Sequence, residues 1–137
     1  MRRLMGLAVA LGSAVYIAVV DDESPVRTAL GRLLRLADYE VAAFGSGDEF
    51  LASLSARVPA CVILDVHMPG ISGFSIQAQL RAANCDIPAV FITASDDSAL
   101  DAAVVAAGGV TLLRKPFTSD RLLKAVSTAL GTPNRAT

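Results

Sequence analysis

The chain has 137 residues, room for one domain in which roughly two thirds of the unfolded surface can be buried. Twelve basic against thirteen acidic residues leave a formal net charge of −1, so no bulk electrostatic pull towards nucleic acid or an anionic membrane is expected. Its two cysteines, Cys61 and Cys85, match no zinc or redox spacing and read as free thiols in a reducing compartment.

Arg2-Arg3 and the uncharged, mostly apolar run from Leu4 to Val20 resemble a signal peptide. The run is short for a membrane span, and its second part, Val15 to Val20, is needed as a first strand. We therefore expect a leader of unknown status over 1–14, a folded domain over 15–131 and a polar tail over 132–137. The first strand stops at Asp21-Asp22. Ser24 is the expected N-cap of a helix with Pro25 at its first position, and Val26, Leu30, Leu33, Leu34 and Ala37 recur along it at helical spacing. Arg27, Arg32 and Arg35 fall off that stripe and read as a solvated face rather than a docking surface.

Tyr39 to Phe44 mixes polar and apolar positions, as an edge strand does, and Gly45 to Glu49 supplies a turn with a capping box at Ser46 and Glu49. Phe50, Leu51 and Leu54 give a second helix its inward face, and Pro59 closes the link to the next strand. Ala60 to Leu64 is a continuous apolar run, the pattern of a strand buried on both faces, and Asp65 stands where it ends. Met68-Pro69-Gly70 leads into a third helix near Ser72 to Ala83. Ala89 to Ile92 is a further buried run ending at Thr93-Ala94-Ser95. Leu100, Val104 and Ala107 mark a fourth helix stopped by Gly108-Gly109. Val110 to Leu113 is a fifth strand, ending at Arg114-Lys115-Pro116. Thr118 or Ser119 caps a last helix that turns Leu122, Leu123, Val126 and Leu130 inward, with Gly131 as its stop and Pro133 beyond.

Strands alternating with helices demand right-handed crossovers, hence an α/β doubly wound parallel sheet of five strands with helices on both faces. In the order 2-1-3-4-5 the strands' carboxyl ends share one rim, and the switch point falls between strands one and three. Polar residues interrupt the apolar runs there: Asp21 and Asp22, Asp65, Thr93 and Lys115. Two carboxylates about 4 Å apart repel by about 4 kcal/mol at an effective dielectric near 20, so the acids need a cation or raised pKa values. Mg²⁺ suits such a donor set and leaves a position for a phosphate oxygen. Asp65 can then act as a nucleophile towards a phosphoryl group, with Lys115 as a point cation and the Thr93 hydroxyl as a donor. Singly, each residue reads as a cap, a turn residue or a loop dipeptide. Their meeting on one rim favours the chemical reading.

Asp21-Asp22, Asp65 with Met68-Pro69 and Gly73 downstream, Thr93-Ala94 and Lys115-Pro116 together resemble the motif set of receiver domains of bacterial two-component response regulators, over about residues 15 to 130. The resemblance implies a flavodoxin-like fold and phosphorylation of Asp65 by a sensor histidine kinase or histidine phosphotransfer protein. It implies direct Mg²⁺ ligation by Asp22 and Asp65, help from Asp21 through water, and completion of the site by the His67 backbone carbonyl. Thr93 and Lys115 would read the phosphoryl group, Lys115-Pro116 would be cis, and the surface of the fourth helix, fifth strand and fifth helix would switch partner affinity, with Val105 outward on it. A cytoplasmic location follows, as does a protein that assists its own phosphorylation and dephosphorylation without otherwise being an enzyme. The surroundings of Thr93 and Lys115 look most like the nitrogen-fixation type of regulator.

Two departures stand out. Leu112 occupies the position where many receivers carry a Tyr or Phe that swings inward on activation. His67 and Ser95 sit two residues beyond the acceptor and the threonine, at positions that tune phosphoryl lifetime in this family; protonation of His67 near neutral pH is a hypothesis for such tuning. Other readings are the regulatory half of a truncated DNA-binding regulator, and a pseudo-receiver that docks without being phosphorylated. A flavin-binding protein fits less well, because Asp21-Asp22-Glu23 after the first strand repels phosphate without a metal. Neither direct nucleic-acid binding nor a membrane contact is expected of this chain, and a homodimer formed on phosphorylation stays open.

Overall fold

Three apolar runs fix the middle of the sheet. Tyr16–Val20 (β1), Cys61–Asp65 (β3) and Ala89–Thr93 (β4) are buried at every residue, as runs that read apolar on both faces must be. Glu40–Phe44 (β2) and Thr111–Arg114 (β5) flank them as half-buried edges. The computed structural model describes residues 14–131; the expected leader, except for its last residue, and the expected tail with Pro133 lie outside the described residues. Helices Ser24–Leu36 (α1), Gly47–Ser53 (α2), Gly73–Ala82 (α3), Ala99–Ala106 (α4) and Ser119–Leu130 (α5) complete the alternation. All strand pairs are parallel, and the order is β2-β1-β3-β4-β5. The expected architecture is therefore the one adopted.

Alternation along each strand divides the core into two layers. Ile17, Val19, Ile63 and Ile92 pack with Leu30 and Leu34 of α1 and Leu122 and Val126 of α5. Val20, Val62, Leu64 and Phe91 pack with Phe50, Ile76, Leu80 and Val104 on the opposite layer, where Leu112 also lies. Cys61 is buried in the first layer, and burial pushes its thiol pKa up to about 12, so it behaves as an apolar filler. It is not disulfide-bonded, and neither is Cys85.

Local signals fix most helix starts. Ser46 Oγ accepts the Glu49 amide at 3.2 Å, and the two side chains meet at 3.4 Å. Ser72 and Thr118 cap α3 and α5 through their hydroxyls. One start differs from expectation: Ser24 lies inside α1 and Glu23 is the N-cap, with no side-chain capping bond. The Glu23 carbonyl accepts the Val26 and Arg27 amides, while its carboxylate reaches Lys115 instead. Strands β3, β4 and β5 each run one residue past their apolar stretch, because the ladders continue through Asp65↔Ile92 and Thr93↔Arg114.

At the amino end of the sheet, Arg57 makes a two-pronged ion pair with Glu40, the first residue of β2, one prong being 2.8 Å. Its guanidinium also lies 4.1 Å from the centroid of the Tyr16 ring, at the first residue of β1.

Candidate functional site

Register decides which side chains meet. Val20 is paired with Leu64, so the next residues, Asp21 and Asp65, leave neighbouring strands side by side at the carboxyl rim. Asp21 is fully buried, its amide donating to the Phe44 carbonyl at 3.1 Å. Asp22 is exposed and Asp65 only 4% exposed. One carboxylate oxygen from each of Asp21, Asp22 and Asp65 lies within 4.8 Å of the other two. The three acids expected to converge do so.

Lys115 enters this cluster from the end of β5. Its Nζ donates to Asp21 Oδ2 at 2.9 Å and Glu23 Oε1 at 3.1 Å, and lies 3.7 Å from Asp65 Oδ2. The Lys115 amide donates to the Thr93 carbonyl at 2.7 Å, which ties the lysine to the end of β4, and Lys115-Pro116 is cis. Thr93 is fully buried. Its Oγ1 accepts the Ser95 amide at 3.0 Å and shares a 3.5 Å hydrogen bond with His67 Nδ1, whose direction is set by the imidazole tautomer. The His67 amide lies 3.4 Å from Asp65 Oδ1, while its side chain is exposed.

Burial is the main reason the Asp65 pKa rises to about 7, the neighbouring charge of Asp21 adds to it, and the Lys115 charge and the His67 amide pull the other way. For Lys115, burial alone would lower the pKa; hydrogen bonds to Asp21 and Glu23 and the charge of Asp65 outweigh it, and the ammonium is held above the ordinary lysine value. The cluster is thus an acidic pocket with one internal counter-charge. Hard carboxylate oxygens at this spacing fit a divalent cation that prefers oxygen ligands.

Gly73 lets α3 start against this pocket. Its amide donates to Val66 O at 3.1 Å, and a Cβ built on it would clash with the Asp65 carbonyl oxygen and stand 3.1 Å from the carbonyl carbon. Backbone cannot rotate out of the way.

Four residues make contacts that motif reading passed over. Glu23 shares the lysine. Arg27 Nη1 donates to the Asp21 carbonyl at 2.7 Å, so it fastens α1 to the acidic loop rather than belonging only to a solvated face. Arg35 likewise reaches a carbonyl, that of Val41 at 3.2 Å. Arg114 Nε and Nη2 donate to the Ser95 and Asp97 carbonyls at 3.2 and 2.8 Å, and the same guanidinium pairs with the Asp101 carboxylate at 3.0 Å. Isolated arginines on a helix or strand end carry no sequence signal for which carbonyl they will reach.

A doubly wound sheet with clustered acids at its switch point, one lysine among them and a buried threonine hydroxyl at the next strand end is the build of a signalling module worked by charge on an aspartate. Comparison with known sequences narrows the class: the family described as Response regulator receiver domain matches residues 17–127, and the chain belongs to it. It is accordingly a receiver domain of the two-component response regulators, a signalling domain and not an ordinary enzyme. Nodulation protein W of Bradyrhizobium diazoefficiens is 40% identical over 113 residues, covering 82% of this chain and 50% of that protein. Transcriptional regulatory protein FixJ of the same organism is 32% identical over 115 residues, covering 84% and 56%. A solved response regulator receiver protein from Burkholderia phymatum superposes with a TM-score of 0.78 at 42% identity, covering 85% of this chain and 95% of that one. This chain spans about half the length of the full-length relatives it matches. Among the described residues no helix is long and apolar enough to cross a membrane.

Proposed function

We propose that Asp65 is the phosphoacceptor of this receiver, that Asp22 and Asp65 ligate Mg²⁺ directly with Asp21 helping through water, and that the His67 carbonyl completes the metal site. The observation that carries the reading is the nearly buried Asp65 carboxylate lying beside the Asp21 carboxylate, with the Lys115 ammonium 2.9 Å from Asp21 and 3.7 Å from Asp65. Bound Mg²⁺ would supply positive charge to the carboxylates and to the transferring phosphoryl oxygens.

The protein's own groups do the rest. An ionised Asp65 oxygen forms the new bond to phosphorus as the bond from phosphorus to the donor's histidine nitrogen breaks, the electron pair leaving with the imidazole. Lys115, already poised among carboxylates, turns one of its protons to a phosphoryl oxygen, and the Thr93 hydroxyl turns its proton from His67 or solvent to another. Losing the lysine from Asp21 and pulling on Thr93 are the two local changes that spread to the surface of α4, β5 and α5, where Val105 is 76% exposed.

The partner is a sensor histidine kinase or histidine phosphotransfer protein in the cytoplasm, with residues 15–131 as the receiver. A groove of about 440 Å³ lined by Pro25, Val26, Ala29, Leu30, Pro116 and Phe117 adjoins Lys115 and gives the donor an apolar footing beside the acceptor. A second reading, the regulatory half of a DNA-binding regulator, is favoured by the chain's spanning half of relatives of which one is named a transcriptional regulatory protein. Intact mass after incubation with acetyl phosphate tests the acceptor. A gain of about 80 Da that needs both Mg²⁺ and Asp65, and is lost in Asp65→Asn, is expected. No gain, or a gain that survives Asp65→Asn, removes Asp65 from the role.

A further inference from the structure

Arg114 is an unexpected centre in this structure. It follows the last inward-facing residue of β5 and precedes Lys115, and its backbone is paired with Thr93 across the ladder. From there one guanidinium holds three points in succession along the β4–α4 connection: the Ser95 carbonyl at 3.2 Å, the Asp97 carbonyl at 2.8 Å, and the Asp101 carboxylate in the first turn of α4 at 3.0 and 3.3 Å. A planar fork with five donors can do this; a lysine cannot.

The connection itself is a chain of short-range bonds. Thr93 Oγ1 accepts the Ser95 amide at 3.0 Å, Ser95 Oγ accepts the Asp97 amide at 3.1 Å, and Asp97 Oδ1 accepts the Ala99 amide at 3.0 Å. Each link alone is a local turn that can rotate independently of its neighbours. Clamped by Arg114 at Ser95, at Asp97 and, beyond the last link, at Asp101, they become one body running from Thr93 to α4.

Resting on the reading of Asp65 as acceptor, we propose that Arg114 is a positioning residue that couples Thr93 to α4. When Thr93 turns to a phosphoryl oxygen, the amide of Ser95 must follow its Oγ1 or lose it, and the guanidinium carries that shift into the first turn of α4. Leu112, packed among the apolar residues of the α2–α3–α4 layer, offers no ring to do this. The coupling here is polar and runs over the rim, through a residue next to the lysine that senses the same event.

The test compares wild type, Arg114→Ala, Arg114→Lys and Asp101→Asn, each with and without acetyl phosphate and Mg²⁺, reading intact mass and amide hydrogen exchange in the same samples. In the wild type, phosphorylation is expected to change the opening equilibrium of α4 amides by roughly fivefold or more, the lower end of a usual coupling. Arg114→Ala should still gain the phosphoryl group, since Asp65, the acids and Lys115 are untouched, yet change its α4 exchange by less than about twofold. Arg114→Lys should not restore the response. Asp101→Asn, an exposed and mild change, should keep the response of the 93–97 segment and weaken that of α4. A wild-type-sized α4 response in Arg114→Ala or in Asp101→Asn overturns the proposal. Absence of any mass gain in the wild type overturns the acceptor reading instead and takes the coupling with it.

Discussion

Lys115 Nζ and Asp21 Oδ2 are 2.9 Å apart although they stand 94 positions apart in the chain, and that pair, closer than the 3.7 Å to Asp65, holds the lysine. Replacing Lys115 with Met leaves Asp21 buried beside Asp65 with no ammonium between them. Stability without Mg²⁺ should fall by roughly 1–3 kcal/mol, the usual cost of stranding a buried charge partner. Mg²⁺ should then raise the melting temperature more in Lys115→Met than in the wild type, because the cation fills the role of the missing lysine. Thermal melts at several Mg²⁺ concentrations decide it; equal Mg²⁺ shifts in the two proteins would contradict the assignment of these acids to a cation.

Asp65 makes stability depend on pH in the direction opposite to a salt-bridged acid. Its folded pKa is raised to about 7, from an unfolded value near 4. Unfolding at neutral pH therefore releases a proton, and the stability present below pH 4 is lost as pH rises from there through about 7. Asp65→Asn should be more stable than the wild type at pH 7.5 in metal-free buffer, by an amount on the order of 1–4 kcal/mol, and close to it at pH 4. Denaturant titrations at the two pH values measure this. A difference that does not grow with pH would place the strain elsewhere.

Gly73→Ala should destabilise the domain by about 1–3 kcal/mol, as overpacking does, because the added carbon meets backbone atoms of Asp65 that have no rotamer to escape into. Relief requires the start of α3 or the end of β3 to shift, so phosphorylation by acetyl phosphate should slow as well. A variant as stable and as reactive as the wild type would show that the two segments yield freely.

Asp22 is the exposed member of the acid cluster. Asp22→Asn should leave metal-free stability within about 0.5 kcal/mol of the wild type, yet weaken Mg²⁺ binding by roughly tenfold or more, as loss of a charged ligand does. Titration calorimetry with Mg²⁺ distinguishes a ligand from a bystander acid.

How far the sequence carries the reader differs between strand and side chain. Runs such as Val15 to Val20 and Ala89 to Ile92 are unbroken because both faces of a central strand are covered, so fold and order follow from pattern alone. The site was legible for the same reason: Asp21, Asp65 and Thr93 are conspicuous as polar residues ending apolar runs. Arg27 and Arg114 were not, since each acts through the reach of a flexible side chain to carbonyls six and nineteen residues away. Ser24 misled because a serine before proline looks like a cap, whereas the chain uses Glu23 there and spends its carboxylate on Lys115.

The clasp of Arg57 with Glu40 and the Tyr16 ring lies at the first residues of β2 and β1, as far along the strands as possible from the acids at their other ends. The two edges of the domain are thus braced separately, β1 and β2 by this clasp at their amino ends and the carboxyl rim by Lys115. Charge can be added to or taken from the acidic rim without touching the clasp at the opposite end. Substitutions around Arg57 would tune how firmly β1 and β2 hold together while leaving untouched the acids and the lysine of the carboxyl rim.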